Sequence, residues 1–408
     1  MHVSSPNEET QWLHDSYEPP SGFSSLSTPV HHASTVVFDT VDAYQNRGAR
    51  RYDGYTYGLS GTPTSMVLAH RVAQLEASHH QAVLTPSGLS AISLVYLSCL
   101  RQGDHVLVSD NVYGPSRHLC LNVLQGMGVE ISFYDALAGS GIESQIRSNT
   151  RLIWVESPGS ITMEIADVSA IAAIGRKRGI LVAADNTWAA GLHFKPLRHG
   201  CDISVQALTK YVGGHSDLLL GAIAVSNEIL YRKIKDTAHS LGLGVSSQDC
   251  FLALRGLSTL SVRMRQHQAS ALEISRWLQQ RSEIKKVIHP ALASCPGHEI
   301  WRRDFSGSSG LFSIVLQPQY SKRSVDTMIE RLRYFRIGAS WGGAISLALP
   351  LDPSDLRTAA PWNEDGYLIR LSIGLENVAD LIADLRAGLD SLLSVQAVGD
   401  RQMAYKEG

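Results

Sequence analysis

The sequence is poor in cysteine and contains no long hydrophobic run. Its five cysteines are odd in number and scattered, without a Cys-x-x-Cys pair: Cys99, Cys120, Cys201, Cys250 and Cys295. This pattern argues against a disulfide framework and a zinc site, and is typical of reduced thiols in a cytosol. The 16 histidines include no His-Glu-x-x-His spacing, so no metal site is predicted. The longest apolar run, residues 218–225, is too short for a bilayer, which takes about 20 residues to cross.

An excess of positive charge is also absent. The chain carries 36 basic and 38 acidic side chains, a formal net charge of -2, so no global positive field attracts nucleic acid. The first residues lack the basic and apolar regions of a signal peptide. With 44% hydrophobic and 18% charged residues, the chain can build a sizeable core. We therefore expect a cytoplasmic globular protein that binds neither nucleic acid nor a membrane.

Two common catalytic motifs are missing or lack their context. No Gly-Lys dipeptide occurs, which excludes a P-loop. Residues 338–342 match Gly-x-Ser-x-Gly, but in serine hydrolases a helix follows this serine directly and a histidine comes later in the chain. Here a strand is predicted at residues 344–349, and no histidine follows Ser340. The sequence therefore argues against a serine hydrolase.

The pattern of residues divides the chain into three parts. Residues 1–65 are rich in Ser, Pro, Gly and Tyr and predict an extended N-terminal arm. Residues 66–260 alternate short apolar strands with helical segments, which predicts a large domain with a mostly parallel sheet covered on both faces. Residues 261–408 combine helical spacing with strand candidates and predict a smaller α+β domain. The predicted fold class is α/β.

Individual elements follow from the same pattern. Helices are predicted at residues 89–100, before Gly179, around residues 271–278 and around residues 378–389. Apart from residues 344–349, the predicted strands are 82–84, 106–109, 152–155, 180–184, 203–208, 311–316 and 368–373.

Two charged residues stand at the ends of predicted strands, where open α/β sheets bind their ligands. Lys210 follows the strand at 203–208 among apolar and tightly turning neighbours, and Asp185 follows the strand at 180–184. A lysine is usually a solvated surface charge. Burial would instead favour its neutral amine, the form that a Schiff-base lysine needs. A buried aspartate needs a cationic partner, and a protonated pyridine nitrogen would supply one.

A third feature completes a possible cofactor site. Ser87, Gly88 and Leu89 lie where a strand turns into a helix, and such a turn binds anions through its backbone N–H groups. Taken alone, it is equally an ordinary βα turn. Together with Asp185 and Lys210, it fits the phosphate, ring nitrogen and aldehyde of pyridoxal phosphate. Tyr113 and its aromatic ring could then cover the face of the cofactor.

Arg370 is the candidate for binding a substrate carboxylate. It lies in a predicted strand, where Ile369 and Leu371 share the opposite face. A planar guanidinium can bind a carboxylate through two hydrogen bonds. A surface salt bridge is the alternative interpretation of the same pattern.

The sequence resembles the transsulfuration family of pyridoxal phosphate enzymes, which includes the cystathionine γ-synthases, γ-lyases and β-lyases, and it is most similar to the bacterial β-lyase branch. The resemblance extends from about residue 55 to residue 393. The motifs that carry it are Glu156-Ser157-Pro158-Gly159-Ser160, Asp185-Asn186-Thr187-Trp188-Ala189-Ala190-Gly191, Thr209-Lys210-Tyr211 with Gly214-His215-Ser216-Asp217, and Ser340-Trp341-Gly342-Gly343.

This resemblance implies a fold-type-I enzyme that binds pyridoxal phosphate and forms a homotetramer of two catalytic dimers. Lys210 matches the Schiff-base lysine, Asp185 the partner of the pyridine nitrogen, and Tyr113 the stacking tyrosine that assists exchange of the amine. The remaining matches are Gly88, Leu89 and Thr209 for the phosphate, Arg370 for the substrate carboxylate, and Ser340 and Trp341 on the substrate side.

The N-terminal arm departs from the family pattern. Family members commonly carry Tyr-x-Arg, which reaches the phosphate and substrate of the neighbouring subunit. Tyr57 is present here, but Leu59 stands where the arginine is expected. The phosphate would then depend more on Tyr57, on the Gly88 turn and Thr209, or on Arg50 or Arg51. This departure bears on cofactor affinity more than on reaction type.

The resemblance also implies a reaction. Trp341 and Gly159 agree with the β-lyase branch, because γ-acting relatives tend to carry Leu and Asn there. The expected activity is β-elimination of L-cystathionine, an amino-acid thioether, to homocysteine, pyruvate and ammonia, which would serve methionine synthesis. γ-Elimination or γ-replacement and a broader cysteine-S-conjugate β-lyase stay open. A cofactor-binding regulator without activity is a remoter alternative.

Overall fold

The computed structural model describes residues 10, 13, 14, 21–23 and 25–404, with side chains up to residue 392. A seven-stranded sheet forms the centre of its larger part, in the order β1-β7-β6-β5-β4-β2-β3. All neighbouring strands run parallel except at β7, which is antiparallel to both β1 and β6. The strands are β1 Val83–Thr85, β2 His105–Ser109, β3 Glu130–Tyr134, β4 Thr150–Glu156, β5 Leu181–Asp185, β6 Ile203–Gln206 and β7 Gly221–Val225.

Both faces of this sheet are buried, as the sequence predicts. Along β4, Leu152 and Trp154 pack into one hydrophobic cluster, while Ile153 and Val155 pack into another. Since successive side chains of a strand point to opposite faces, the two clusters lie on opposite sides of the sheet. This burial explains why such strands appear in the sequence as short continuous apolar runs.

A second sheet has four antiparallel strands in the order β10-β11-β9-β8. Its strands are β8 Ile284–Ile288, β9 Leu311–Leu316, β10 Leu347–Leu351 and β11 Leu368–Ser372. The predicted strand at 344–349 therefore begins three residues later in the structure, as β10. With the parallel sheet and the flanking helices, this architecture confirms the predicted α/β class with a second, smaller sheet domain.

The helices begin and end at residues that satisfy their free backbone groups. Thr62 forms a capping box with Ser65, and Pro63 occupies the first turn of α2. Gly179, with φ of 66°, ends α5 where the sequence predicts it. The helices are α1 Val41–Gln45, α2 Pro63–Leu75, α3 Gly88–Cys99, α4 Gly114–Leu119, α5 Val168–Arg178, α6 Glu228–Ser240, α7 Ser247–Leu257, α8 Leu260–Leu278, α9 His298–Asp304, α10 Lys322–Glu330 and α11 Val378–Ala404.

The described part of the N-terminal arm is mostly irregular and contains α1 and two short 3₁₀ turns. It contacts the body of the chain where the Tyr52 hydroxyl donates to Asp236 of α6 at 3.0 Å. The helix α2 begins at Pro63, three residues before the predicted start of the large domain at residue 66. The division at residues 65 and 260 remains a proposal. No helix within the described residues is both long and apolar enough to cross a membrane.

Candidate active site

A cleft of about 840 Å³ opens at the carboxyl ends of the parallel strands. Asp185 ends β5, and Lys210 lies in the turn that follows β6. Both line the cleft, together with Gly88, Tyr113 and Trp341. The structure therefore brings together residues up to 253 positions apart in sequence, at the place where α/β sheets bind ligands.

Lys210 carries the reactive amine of the cleft. Its Nζ donates a hydrogen bond to Ser340 Oγ at 2.8 Å and lies 5.4 Å from the centre of the Trp341 ring. Burial, and to a smaller extent the positive charge of Arg370, lower the pKa of Lys210 to about 8, although Asp185 opposes the shift. A substantial neutral fraction near physiological pH makes this amine a nucleophile and a base.

Asp185 is held by the residues that follow it. Its Oδ1 accepts from the Thr187 backbone N–H at 3.0 Å and from the Thr187 hydroxyl at 2.5 Å. That hydroxyl in turn accepts from the Ala207 N–H at 2.9 Å, which ties β5 to the turn that carries Lys210. Burial raises the pKa of Asp185, and these hydrogen bonds and Lys210 oppose the increase. A cationic ligand atom would stabilise its charged form further.

The anion site lies at the start of α3. Ser87 caps the helix through its Oγ, which accepts from the Ser90 N–H, while the N–H groups of Gly88 and Leu89 belong to the first turn and have no acceptor within the helix. A Cβ on Gly88 would lie 2.5 Å from the Cβ of Ala207, so only glycine permits this approach to the Lys210 turn. Thr209 Oγ1 donates to the Leu220 carbonyl at 3.1 Å and accepts from its N–H at 3.0 Å.

Tyr113 lies at the entrance to the cleft, at the start of α4. Its backbone N–H donates to Glu156 Oε2 at 2.7 Å, which fixes the backbone while the half-exposed side chain lines the cleft. Burial first, then the neighbouring carboxyl groups of Glu156 and Asp185, raise the pKa of Tyr113, and the positive charge of Arg370 opposes the increase. The phenol is therefore neutral and can stack on a planar ligand.

Arg370 lies in the middle of β11 and is only 8% exposed. Its Nη2 donates to the Ala339 carbonyl at 2.7 Å, and among the described residues no carboxylate pairs with it. Ile369 and Leu371 pack into the core of the smaller domain, as the alternation predicts. A surface salt bridge does not account for Arg370, whereas a buried guanidinium beside Lys210 and Tyr113 suits a substrate carboxylate.

Tyr57 does not enter the cleft within one chain. It is 49% exposed, and its hydroxyl lies 3.4 Å from Ser34 Oγ. Leu59 lines a separate cavity beside the arm, and Arg51 there forms an ion pair with Asp236 at 2.9 Å. Of the two alternative phosphate ligands, Arg51 is thus already paired. A role of Tyr57 in the site of a neighbouring subunit stays a prediction.

Two residues at or near the cleft, Glu156 and Asn111, have no role assigned from the sequence. Glu156 lines the cleft beside Asp185. It belongs to the motif Glu156-Ser157-Pro158-Gly159-Ser160, but the sequence alone gives it no function. Asn111 explains Gly159, because a Cβ at position 159 would lie 2.3 Å from Asn111 Nδ2. A side chain at position 159 would therefore displace Asn111, which gives Gly159 a packing role that does not depend on the reaction. The signal that could have found both residues is their position at the carboxyl end of a strand, because Glu156 is the last residue of β4 and Asn111 lies two residues after β2.

The loop around residues 357–360 is anchored to the same region. The buried carboxylate of Asp110, just after β2, accepts hydrogen bonds from the backbone N–H groups of Thr358, Ala359 and Ala360. It also pairs with Arg117 of α4 at 2.9 Å. This buried contact holds the segment with Tyr113 against the C-terminal part of the chain.

These residues fit pyridoxal phosphate. The start of α3 offers free backbone N–H groups for the phosphate, Asp185 offers a carboxylate for the ring nitrogen, and Lys210 offers a partly neutral amine for the aldehyde. Within the described residues, no cluster of three or more His, Cys, Asp or Glu side chains could bind a metal ion.

Comparisons with known proteins agree with this interpretation. The family model for a Cys/Met metabolism PLP-dependent enzyme matches residues 9–390. The Escherichia coli protein named cystathionine beta-lyase MetC is 41% identical over 370 residues, which cover 89% of this chain and 93% of that protein. A protein from Wolbachia pipientis named L-alanine/L-glutamate racemase is also 41% identical, over 90% of this chain and 93% of that protein.

The similarity extends to a solved structure. A cystathionine gamma synthase from Xanthomonas oryzae pv. oryzae superposes with a TM-score of 0.87 at 30% identity, over 96% of this chain and 100% of that chain. The match of fold, family model and relatives confirms both the fold-type-I architecture and the cofactor predicted from the sequence. The chain therefore belongs to the Cys/Met metabolism family of pyridoxal phosphate-dependent enzymes.

Proposed function

We propose that this protein is a carbon-sulfur lyase that cleaves L-cystathionine by β-elimination, giving homocysteine, pyruvate and ammonia after addition of water. The observation that carries the proposal is the half-buried amine of Lys210, with a pKa lowered to about 8, hydrogen-bonded to Ser340 and close to Arg370. When bound, pyridoxal phosphate supplies an electron sink for the electron pair left at the substrate Cα.

Each residue of the cleft would bind a different part of the substrate or the cofactor. Arg370 would bind the α-carboxylate of the substrate, with Ser340 and Trp341 beside the remainder of the molecule. The carboxylate of Asp185 would keep the cofactor nitrogen protonated, and Tyr113 would cover the ring. The phosphate would lie against the N–H groups at the start of α3, formed by Gly88 and Leu89, with the backbone of Thr209 nearby.

Lys210 would move the protons of the reaction. Its amine would hold the cofactor through the aldehyde and, once free, would remove the proton from the substrate Cα. The C–S bond then breaks, and the same amine is positioned to protonate the departing sulfur. The lowered pKa of Lys210 suits both tasks, because the amine can give and take a proton near neutral pH.

The choice of β- over γ-elimination depends on the residues beside the substrate. Trp341 supports the β-lyase assignment, as does the name of the Escherichia coli relative. Gly159 supports it less, since the contact with Asn111 already accounts for the glycine. γ-Elimination would release 2-oxobutanoate in place of pyruvate. A broader β-lyase acting on other cysteine thioethers would give the same pyruvate.

Amino-acid racemisation is a second candidate. The Wolbachia relative named as a racemase is as similar to this chain as the Escherichia coli lyase. Both reactions begin with removal of the Cα proton, which Lys210 can perform, and they differ in whether a proton returns or sulfur leaves. The smaller substrates of a racemase would also be bound through Arg370.

One experiment separates these activities. The purified protein, supplemented with pyridoxal phosphate, is incubated with L-cystathionine, L-cystine and L-alanine, and the keto acids, thiols and alanine enantiomers are measured. We expect pyruvate and homocysteine from L-cystathionine, with Lys210→Ala inactive but folded by circular dichroism. Predominant 2-oxobutanoate, or D-alanine formed faster than pyruvate, would refute the assignment.

Assembly and location are part of the same proposal. We infer a cytoplasmic homotetramer built from two catalytic dimers, in which Tyr57 reaches the cleft of the neighbouring subunit. Its large exposed fraction on the arm supports this placement. Light scattering would measure the assembly, and Tyr57→Phe should weaken cofactor or substrate binding without changing the fold of one chain.

A further inference from the structure

Glu156 and Asp185 form a pair of carboxyl groups beneath the cleft. Glu156 ends β4 and Asp185 ends β5, and the two are register partners in the parallel ladder. The residues two positions earlier, Trp154 and Ala183, both pack into the cluster on the α3 side of the sheet. Because alternate side chains of a strand share a face, the two carboxyl groups lie side by side on that same face.

The two carboxyl groups have different hydrogen-bond partners. Asp185 accepts from two donors of Thr187 and also feels the positive charge of Lys210. Glu156 is 8% exposed and accepts from the Tyr113 N–H at 2.7 Å. Among the described side chains, no cation pairs with Glu156.

The surroundings therefore favour one negative charge, on Asp185. Two adjacent buried carboxylates cannot both ionise without a large penalty, and the better-solvated one keeps the charge. Burial first, then the negative charge of Asp185, raise the pKa of Glu156 well above its ordinary value. The other titratable groups that face Glu156 are the phenols of Tyr96 on α3 and Tyr113, both neutral.

We propose that Glu156 is a positioning residue of this active site: as a neutral carboxyl group, it holds Tyr113 in place through the Tyr113 backbone amide. The neutral form leaves Asp185, of these two carboxyl groups, to carry the negative charge for the cofactor nitrogen. One oxygen of Glu156 accepts from the Tyr113 N–H, which leaves the other oxygen to carry the proton. The inference rests on the proposed function for the role of Tyr113, but not for the charge of Glu156.

Three substitutions test the role. Glu156→Gln keeps a neutral side chain with an acceptor, so cofactor affinity and kcat/KM should stay within about threefold of the wild type. Glu156→Ala leaves the Tyr113 N–H without its acceptor, and we expect cofactor affinity to fall about tenfold, the effect of one lost buried hydrogen bond. Glu228→Gln, at an exposed glutamate of α6, is the matched control and should change neither quantity.

Two readouts do not depend on lyase activity. Infrared spectroscopy of the holoenzyme should show the carbonyl stretch of a protonated carboxylic acid, which Glu156→Gln removes and Glu228→Gln retains. The dissociation constant of pyridoxal phosphate, from its absorbance without substrate, reports on positioning. In a Tyr113→Ala background, Glu156→Ala should add little further loss, because Glu156 acts through Tyr113.

The outcomes separate this inference from the proposed function. If Glu156→Gln loses cofactor affinity as Glu156→Ala does, or if no carboxylic acid band disappears, Glu156 is not a neutral positioning residue. If the Glu156→Ala variant does not fold, the cofactor affinity of Glu156→Gln and the infrared band still test whether Glu156 is a neutral positioning residue. If the wild type releases no pyruvate from L-cystathionine, the proposed function fails, while both readouts on Glu156 keep their meaning.

Discussion

The lowered pKa of Lys210 gives a direct prediction for the cofactor-free protein. With a pKa of about 8 instead of the ordinary 10.5, the neutral fraction of the amine at pH 7 is about 10% rather than about 0.03%, so roughly 300-fold more of it is in the form that acylating reagents attack. The sign follows from the cause: burial disfavours the charged form, so the amine loses its proton at lower pH than an exposed lysine.

The assay is pulsed acetylation across pH after removal of the cofactor, with modified lysines measured by peptide mass spectrometry. The rate at Lys210 should rise with a midpoint near pH 8. Lys322 is a suitable internal standard, because its hydrogen bond to Asp326 raises the pKa of this exposed lysine. Its rate should still be climbing at the highest pH used.

Two variants then test the causes separately. Arg370→Leu removes a positive charge, so the midpoint for Lys210 should move to higher pH, but not to that of a free lysine, because burial is the larger cause. Asp185→Asn removes a negative charge and should move the midpoint to lower pH. A wild-type midpoint near that of Lys322, or shifts of the opposite sign, would refute the electrostatic description of the cleft.

Two further predictions concern the residues that surround the cleft. Asp110→Ala should lower the free energy of unfolding in urea by about 3–5 kcal/mol, because it leaves Arg117 buried without its partner. Burial alone would raise the pKa of Asp110, but the N–H groups of Ala360 and its neighbours and the Arg117 guanidinium lower it below 3.8. The stabilisation is therefore present above pH 3.8 and disappears as the pH falls below this value. The free energies of unfolding of the wild type and the variant should become equal in acid. Gly159→Ala should cost about 1–3 kcal/mol through overlap with Asn111, and Asn111→Ala in the same chain should restore part of it; equal losses in both backgrounds would contradict the contact.

Most strands that are buried on both faces could be predicted from the sequence, although the fully buried β7 was not among the predicted strands. Strands buried on both faces appear as apolar runs, so β4, β5 and β6 were found close to their observed positions. The strand β3 was missed because it lies at the edge of the sheet and is half exposed, with the mixed sequence Glu-Ile-Ser-Phe-Tyr. Its short length and polar residues give no periodic signal.

The early start of α2 has a different cause. The prediction places the end of the irregular arm at residue 65, but the capping box of Thr62 and Ser65 and the proline between them start the helix at Pro63. These are local signals that the sequence contains. The boundary at residue 65 instead follows the composition of the preceding segment, which is rich in glycine and serine and predicts an irregular arm.

The candidate site shows what a sequence conveys and what it does not. Lys210 and Asp185 could be found because each follows an apolar strand, and the carboxyl ends of parallel strands meet at one edge. The charge state of Glu156 depends on a different fact, the register that sets it opposite Asp185 on the neighbouring strand. No pattern within either segment encodes that register.

The protonation state of each carboxyl group in the cleft therefore depends on its neighbour on the adjacent strand as well as on its own position in the sequence. Burial raises the pKa of both carboxyl groups; Thr187 and Lys210 oppose the increase at Asp185, whereas the negative charge of Asp185 adds to the increase at Glu156. A shift of one residue in the pairing of β4 with β5 would place Val155 opposite Asp185 and remove the interaction. The sheet register is therefore as much a determinant of the chemistry as the identity of Lys210, and substitutions in the core that disturb the register should change cofactor binding before they unfold the chain.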